Sequence, residues 1–477
     1  MIQVRQTSII IPDYNMGDNP RLEKKLSLFN DVYFRVEYRG MRYNEQTKEL
    51  RVPRGIDVGT INRNINELQF ENSYSQYDKA VFNLTVPPKD KIQERAINYL
   101  LGSDKNRDTS RLSQIALNLD TGDGKTYCTI AALSFYKCKS MIITHLDKIK
   151  RQWMDSFLKF TDLHDDFICD IDSSSKMRKL MNMRNIPYKV FFINHQTINS
   201  FVSSEGAEEL EKFFEKIRIG IKVYDEAHLN FGNIITTDMF SNVYKTIYLT
   251  ATLERSDFKE NALYLFCLKN VIKYGSSEIV NKRKHIVFVG YLFNSNPSND
   301  DRVKVLGYKG FDKNFYIDYQ MKKDSLMIAI VDLLNFFNKQ DGRTLILSSK
   351  IDSSNKIAEY LKSVFPDKLI GVVNSTIPEE EKQKIMDTYD IISSTPKSAG
   401  TGVDISNIRF CINTEPYSSG VMGKQISGRL RMIDANTNSF YIELVDKGFD
   451  RVVKMYKKRL PLFKKRCLKV IEMDKSK

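Results

Sequence analysis

Two short segments hold side chains of the types and spacing that phosphate chemistry needs: "TGDGKT" (121–126) and "VYDEAH" (223–228). In the first, Gly122 and Gly124, with Thr121 and Asp123 beside them, let the backbone wrap closely round phosphate oxygens, and a helix starting there turns its N-terminus toward them. Lys125 would neutralise the β and γ phosphates of a nucleoside triphosphate, and the Thr126 hydroxyl would hold Mg²⁺. The longer phosphate-loop pattern wants an early glycine where this chain has Leu119, so its strict form is not met. In the second segment two carboxylates stand side by side at the end of an apolar run, which is costly unless something cationic sits there. Asp225 is expected to bind the Mg²⁺ held by Thr126, through water, and Glu226 to orient and deprotonate the attacking water. His228 is read as a coupling residue hydrogen-bonded toward a further motif, and an ordinary structural histidine would look the same.

These residues need a sheet to hold them. From about 112 to 255, short apolar runs ("IALNLD", "SMIITHL", "KVFFINH", "IKVYDE", "TIYLTAT") alternate with longer mixed segments, as a buried parallel sheet with crossover helices does. The rhythm returns after 340 with "TLILSS", "LIGVVN", "DIISS", "FCINTE" and "SFYIELV", which predicts a second α/β domain in tandem. The phosphate segment follows the first run, and Asp225 ends a strand expected to neighbour it, both at the C-terminal edge where open α/β sheets place ligands. The early residues differ: "VYFRVEYRGMRYNEQTKELRVPRG" (32–55) alternates polar and apolar residues around a turn, which predicts a small β-rich module built on a hairpin. Pro87 and Pro88 mark the entry to the first α/β domain. The expected organisation is an accessory module over 1–82, a candidate for DNA binding, then α/β domains over 83–278 and 279–477.

At 477 residues the chain is too long for one ordinary core, and its 42% hydrophobic content is ample for several. No run approaches the roughly 18 apolar residues that span a bilayer, and the first residues, MIQVRQTSII, lack a secretory pattern. Six scattered cysteines without a CxxC pair point to reduced thiols and away from a zinc site or disulfide framework. An intracellular, cytoplasmic protein is expected. The formal net charge of +14 favours a polyanionic partner, and "KMYKKRLPLFKKRCLK" (454–469) is a basic stretch that reads as a solvated helix face able to add salt-sensitive affinity for phosphate backbone. Abundant Lys, Asn and Ile hint at an AT-rich genome, as in a phage or other virus.

Taken together, and in their order, these residues resemble the superfamily 2 helicases and translocases of the DEAH type, over about 90 to 446. The resemblance implies two RecA-like domains, ATP and Mg²⁺ as cofactors, and a nucleotide held between the domains. It assigns Gln93 in "KIQERAINYL" to adenine recognition. It implies nucleic-acid contacts at Thr144, His145 and Gln152 in "THLDKIKRQW", where His145 replaces the family's proline, and at Gln196 and Thr197 in "NHQT". Thr250 and Thr252 in "LTATLERSD" match the motif that couples hydrolysis to movement. In the second domain "SAGTGVDI" (398–405) supplies Thr401 toward nucleic acid and Gly402 and Asp404 toward nucleotide, and "QISGRLRM" (425–432) supplies Gln425 and Arg429. The family's last arginine is Met432 here, with Arg431 one residue earlier, a rotation of about 100° on a helix. Arg429 and Arg431 are both expected to serve the transferring phosphoryl group.

Among relatives the chain looks most like phage helicases of the UvsW type, with RecG and XPB more distant. That implies sequence-independent action on duplex or branched DNA in recombination, fork remodelling or repair; the resemblance leaves the oligomeric state open, with a monomer favoured. The alternatives are an RNA helicase or viral transcription-release ATPase, and, from another class, an ATP-binding scaffold that does not translocate.

Overall fold

The computed structural model describes residues 2–30, 34–61, 68–70, 74–103, 108–119, 124–250, 258–274, 283–307, 310–337, 341–396, 398, 407–417, 427, 430, 433 and 437–475. They form two compact units, Met1–Ile279 and Val280–Lys477. Each is built on a seven-stranded sheet.

The sheet of the first unit runs Ile168–Ile171, Val190–Asn194, Ser140–Thr144, Ile221–Tyr224, Lys245–Leu249, Gln114–Leu117, Ile272–Tyr274, and every pairing is parallel. Its central strands are buried along their whole length, which is why they read as unbroken apolar runs. Helices cover one face with a core that includes Ile115, Leu117, Ile130, Trp153, Phe157, Val223 and Ile247. The helix Lys125–Tyr136 is buried from Tyr127 through Ser134, so apolar residues surround it and no amphipathic stripe is visible in its sequence.

The other face carries the early residues. A five-stranded sheet runs Arg42–Asn44, Glu49–Pro53, Ser8–Ile11, Ile2–Val4, Leu68–Phe70. Its hairpin turns at 45–48, with Lys48 at φ 51°, as the sequence predicts for this stretch. Ile9, Ile11, Leu50 and Val52 share one core with Phe213, Ile234, Ile235 and Met239 of the α/β helices. Arg51 lies on the Phe240 ring at 4.5 Å and pairs with Glu211 at 2.7 Å.

The second unit's sheet is again wholly parallel, in the order Ile370–Val373, Ile391–Ser394, Arg343–Leu347, Ile408–Asn413, Ser439–Asp446, Arg283–Phe293, Cys467–Asp474. Two cores, one on Leu345, Cys411 and Tyr441 and one on Ile346, Ile412 and Ile442, show the two-sided burial of an α/β sandwich. No helix of the described residues is long and apolar enough to cross a membrane.

A buried ion pair lies within the first unit. Lys222, in the strand Ile221–Tyr224, donates to Asp238 at 2.6 Å, and both are essentially without solvent contact. Tyr224 donates to the same oxygen at 2.8 Å, Tyr248 to the other, and Gln114 donates to the Tyr248 hydroxyl at 2.7 Å. Thr7 of the early sheet donates to the Asp238 carbonyl at 2.7 Å. Burial pushes the Lys222 ammonium down, against the pull of Asp238. Replacing Asp238 by alanine leaves that ammonium buried without its counter-charge, and denaturant titration should show a loss of about 3–5 kcal/mol.

Candidate active site

The sheet order sets the site. Strand Gln114–Leu117, which leads to the phosphate segment, does not adjoin the carboxylate strand Ile221–Tyr224, contrary to the expectation that they are neighbours; Lys245–Leu249 lies between them. Thr250, which follows Lys245–Leu249, is therefore at the end of the strand between the one that leads to the phosphate segment and the carboxylate strand. The strand ends are stitched together beyond their regular pairing: Thr250 N donates to Leu117 O at 3.2 Å, Ala227 N to Leu249 O at 2.8 Å and Asp225 N to Ile143 O at 3.0 Å.

Gly124 caps the helix Lys125–Tyr136 at φ 86° and ψ 34°, a left-handed conformation that disfavours any Cβ. A Cβ there would also lie 2.3 Å from Gln93 Nε2, so the Gln93 amide would have to move. Gln93 is buried in the first turn of helix Lys91–Leu101, with its Oε1 accepting from Lys89 N at 3.0 Å and its own N–H donating to the capping Asp90 at 2.9 Å. The Gln93 amide is thus held against the start of the phosphate-loop helix. Lys125 is that helix's first residue, and its Nζ donates to Leu119 O at 3.0 Å.

Asp225 Oδ2 accepts from the Trp153 indole N–H at 2.9 Å, and Oδ1 from Glu226 N at 3.0 Å. Burial, and after it the charge of Glu226, hold the Asp225 carboxyl above its ordinary range; Trp153, Lys125 and His145 oppose them. Glu226 takes φ 48°, a left-handed backbone that a glutamate adopts at a cost. Its Oε2 is buried and lies 3.2 Å from His228 Nδ1, yet the geometry makes no hydrogen bond there. The same His228 nitrogen is instead 3.0 Å from Thr250 Oγ1, which links the carboxylate strand to the strand next to it.

Two more histidines face this edge. His145 has both ring nitrogens buried without hydrogen-bond partners, and desolvation lowers its pKa despite Asp225 and Glu226 nearby. His195 stacks on Tyr224, with ring centroids 5.8 Å apart and planes within 3°, and burial pushes its pKa down to about 3. A histidine whose folded pKa lies below the ordinary value of about 6.5 stays neutral while the unfolded chain takes up a proton. Stability from this source is full above that value and is lost as pH falls toward 3, by about 1.4 kcal/mol per pH unit. His195→Phe keeps the stacked ring and removes the titration, so unfolding measured between pH 6 and pH 4 should show a shallower decline.

The other expected nucleic-acid residues divide by exposure. Gln152 and Gln196 are exposed on helices Asp147–Phe160 and His195–Glu205. Thr144 and Thr197 are buried, Thr144 donating to Asn194 Oδ1 at 2.6 Å and Thr197 to Asp172 O at 3.4 Å. Thr126 is the second residue of the phosphate-loop helix. Thr121, Gly122, Asp123, Thr252, Thr401, Gly402, Asp404, Gln425, Arg429 and Arg431 lie outside the described residues. Trp153 was missed by the sequence analysis; as the chain's one tryptophan, buried yet with a polar N–H to satisfy, it carries the signal of a partner.

The residues fit a divalent cation: two adjoining carboxylates, one held neutral-prone by burial and its neighbour's charge, the other with a buried oxygen that accepts no hydrogen bond. A Mg²⁺ ion held here would take its remaining ligands from phosphate and water.

Residues 88–255 match the family "Type III restriction enzyme, res subunit", and residues 325–432 match the "Helicase conserved C-terminal domain". The transcript termination protein A18 of fowlpox virus is 23% identical over 360 residues, 73% of each chain. That of Yaba-like disease virus is 24% identical over 385 residues, 76% of this chain and 74% of its own. Among solved structures, S. cerevisiae Dbp5 bound to RNA and ADP BeF3 superposes with a TM-score of 0.51 at 15% identity, over 80% of this chain and 89% of its own, a likeness of fold. With both helicase domains matched in order, one on each parallel-sheet unit, the chain carries the two domains of a superfamily 2 helicase, which imply ATP hydrolysis.

Proposed function

We propose that the chain is an ATP-driven translocase of the DEAH type acting on double-stranded or branched DNA, encoded by a virus. The observation that carries this reading is the pair at the strand end, Asp225 held by Trp153 and Glu226 with an unbonded buried oxygen, on the sheet whose phosphate-loop helix begins at Lys125. Thr126 and Asp225 would hold Mg²⁺, which screens the charge of the triphosphate. Lys125 binds its β and γ phosphates and Gln93 its adenine. Glu226 takes the proton of the attacking water. His228, bonded to Thr250, ties the carboxylate strand to the coupling segment that Thr250 opens. Gly402, Asp404, Gln425, Arg429 and Arg431 would complete the nucleotide's contacts, with the arginines stabilising charge on the phosphoryl group in flight.

The DNA reading draws on the sequence resemblance to UvsW-type helicases and on the basic excess of the chain. A second reading is favoured by the names of the poxviral relatives: translocation along template DNA would end transcripts. ATPase rates with no nucleic acid, blunt duplex, forked DNA and RNA test both at once. Strong stimulation by duplex or forked DNA is expected, and release of RNA from stalled transcription complexes then separates the second reading from repair. Stimulation by RNA alone would sink the DNA reading. No stimulation by any of them would leave an ATP-binding scaffold.

A further inference from the structure

The helix Asp147–Phe160 carries Ile149, Trp153 and Phe157 four residues apart, so the three share one face, and that face is buried. The Phe157 ring lies 6.5 Å from the indole of Trp153 and 5.6 Å from Phe192 of the strand Val190–Asn194. Any large apolar ring would serve that packing. What a tryptophan adds is a donor, and its N–H reaches across 72 positions to Asp225 Oδ2 at 2.9 Å.

Only one other hydrogen bond reaches this carboxylate among the described residues, from Glu226 N to Oδ1 at 3.0 Å. That donor belongs to the next residue and moves with Asp225, so the indole is what ties the carboxylate to another element. With one bond on each oxygen, and room for about two on each, the group is oriented and keeps acceptor capacity for an ion or its water. The donor is itself well anchored. Lys150, one turn before Trp153 and 2% exposed, pairs with Asp170 of the strand Ile168–Ile171 at 2.6 Å and with Asp147 at 3.1 Å. Asn194 donates to Asp147 at 2.6 Å, which fastens the start of the helix to the end of a further strand. An indole N–H only donates and does not titrate, so its hold on Asp225 is the same at any pH at which the chain is folded. We propose that Trp153 is a positioning residue for Mg²⁺, its N–H fixing the orientation in which Asp225 meets the ion; this rests on the ATP-hydrolysis reading above and deepens it by giving the metal carboxylate its support. Partners of this kind typically carry about 10–100-fold in metal affinity.

The chain has one tryptophan, so biosynthetic replacement of tryptophan by benzothienylalanine alters Trp153 alone. That isostere exchanges the N–H for sulfur and keeps the shape of the ring, whereas Trp153→Phe would also shrink a buried side chain. Equilibrium binding of ATP by the full-length protein, in saturating Mg²⁺ and again in EDTA, reads the site without turnover. In Mg²⁺ the benzothienyl protein should bind ATP about tenfold or more weakly than the unaltered protein, with affinity in EDTA and melting temperature unchanged. Ring-fluorinated tryptophan, which keeps the N–H, should restore the affinity in Mg²⁺. Equal losses in Mg²⁺ and in EDTA would make Trp153 a packing residue and overturn the proposal, and so would no loss in either. If the unaltered protein binds no ATP under either condition, the ATP-hydrolysis reading itself falls, and the role of Trp153 with it.

Discussion

Lys125→Ala is expected to lower ATP turnover by roughly 10³-fold while leaving nucleic-acid binding in place. The lysine opens the phosphate-loop helix, which puts its ammonium near the helix N-terminus where the β and γ phosphates are expected, and it donates to the Leu119 carbonyl. A donor aimed at charge that develops during reaction contributes about 10²–10³ in rate, and this one also anchors the triphosphate, so both kcat and KM should suffer. The basic helix Asp450–Arg466 belongs to the second unit and is far from Lys125 in sequence, so nucleic-acid binding is expected to persist. Turnover equal to that of the unaltered protein, measured by phosphate release, would remove the phosphate-loop assignment.

Glu226→Gln should separate binding from chemistry. The change keeps the size of the side chain and the neighbouring Asp225, and it removes the base; hydrolysis should fall by about 10²–10⁴-fold with ATP affinity kept or improved. Asp225 gains from the loss of a like charge beside it, since Glu226 is among the causes that raise its carboxyl. Single-turnover hydrolysis alongside equilibrium ATP binding checks the split. A variant that hydrolyses at full rate would show that the proton leaves by another route, and one that no longer binds ATP would show that Glu226 holds the metal.

Much of this architecture was legible in the sequence because two-sided burial writes strands as unbroken apolar runs. "IKVYDE" is the instructive case: Lys222 sits in the middle of it and is fully buried, which a reading by hydrophobicity discounts and which its partner Asp238, sixteen positions on, makes tolerable. Strand order was less legible, because local patterns carry no information on which strand lies between two others; hence the unexpected insertion of Lys245–Leu249 beside Gln114–Leu117. The hold of Trp153 on Asp225 spans 72 positions and could not be seen in either segment alone. Two edge strands were hidden for other reasons. Cys467–Asp474 is mostly exposed or half-buried, so it lacks the apolar run of its neighbours and reads as part of a basic stretch. The three-residue strand Leu68–Phe70 is too short to show any period.

The place of Arg283–Phe293 in its sheet has a consequence for synthesis. This long apolar strand pairs on one side with Ser439–Asp446 and on the other with Cys467–Asp474, and with nothing nearer in the chain. As the ribosome works from the N-terminus, its first partner emerges 146 positions after Phe293 (439 − 293). At about 5–20 residues per second that is a wait of roughly 7–30 s, during which both edges of "HIVFVGYLF" can pair with another nascent chain. Slower collisions between neighbouring chains, through weak promoters, low temperature or a chaperone that shields extended apolar segments, should therefore raise the yield of soluble protein more than any change to the first unit.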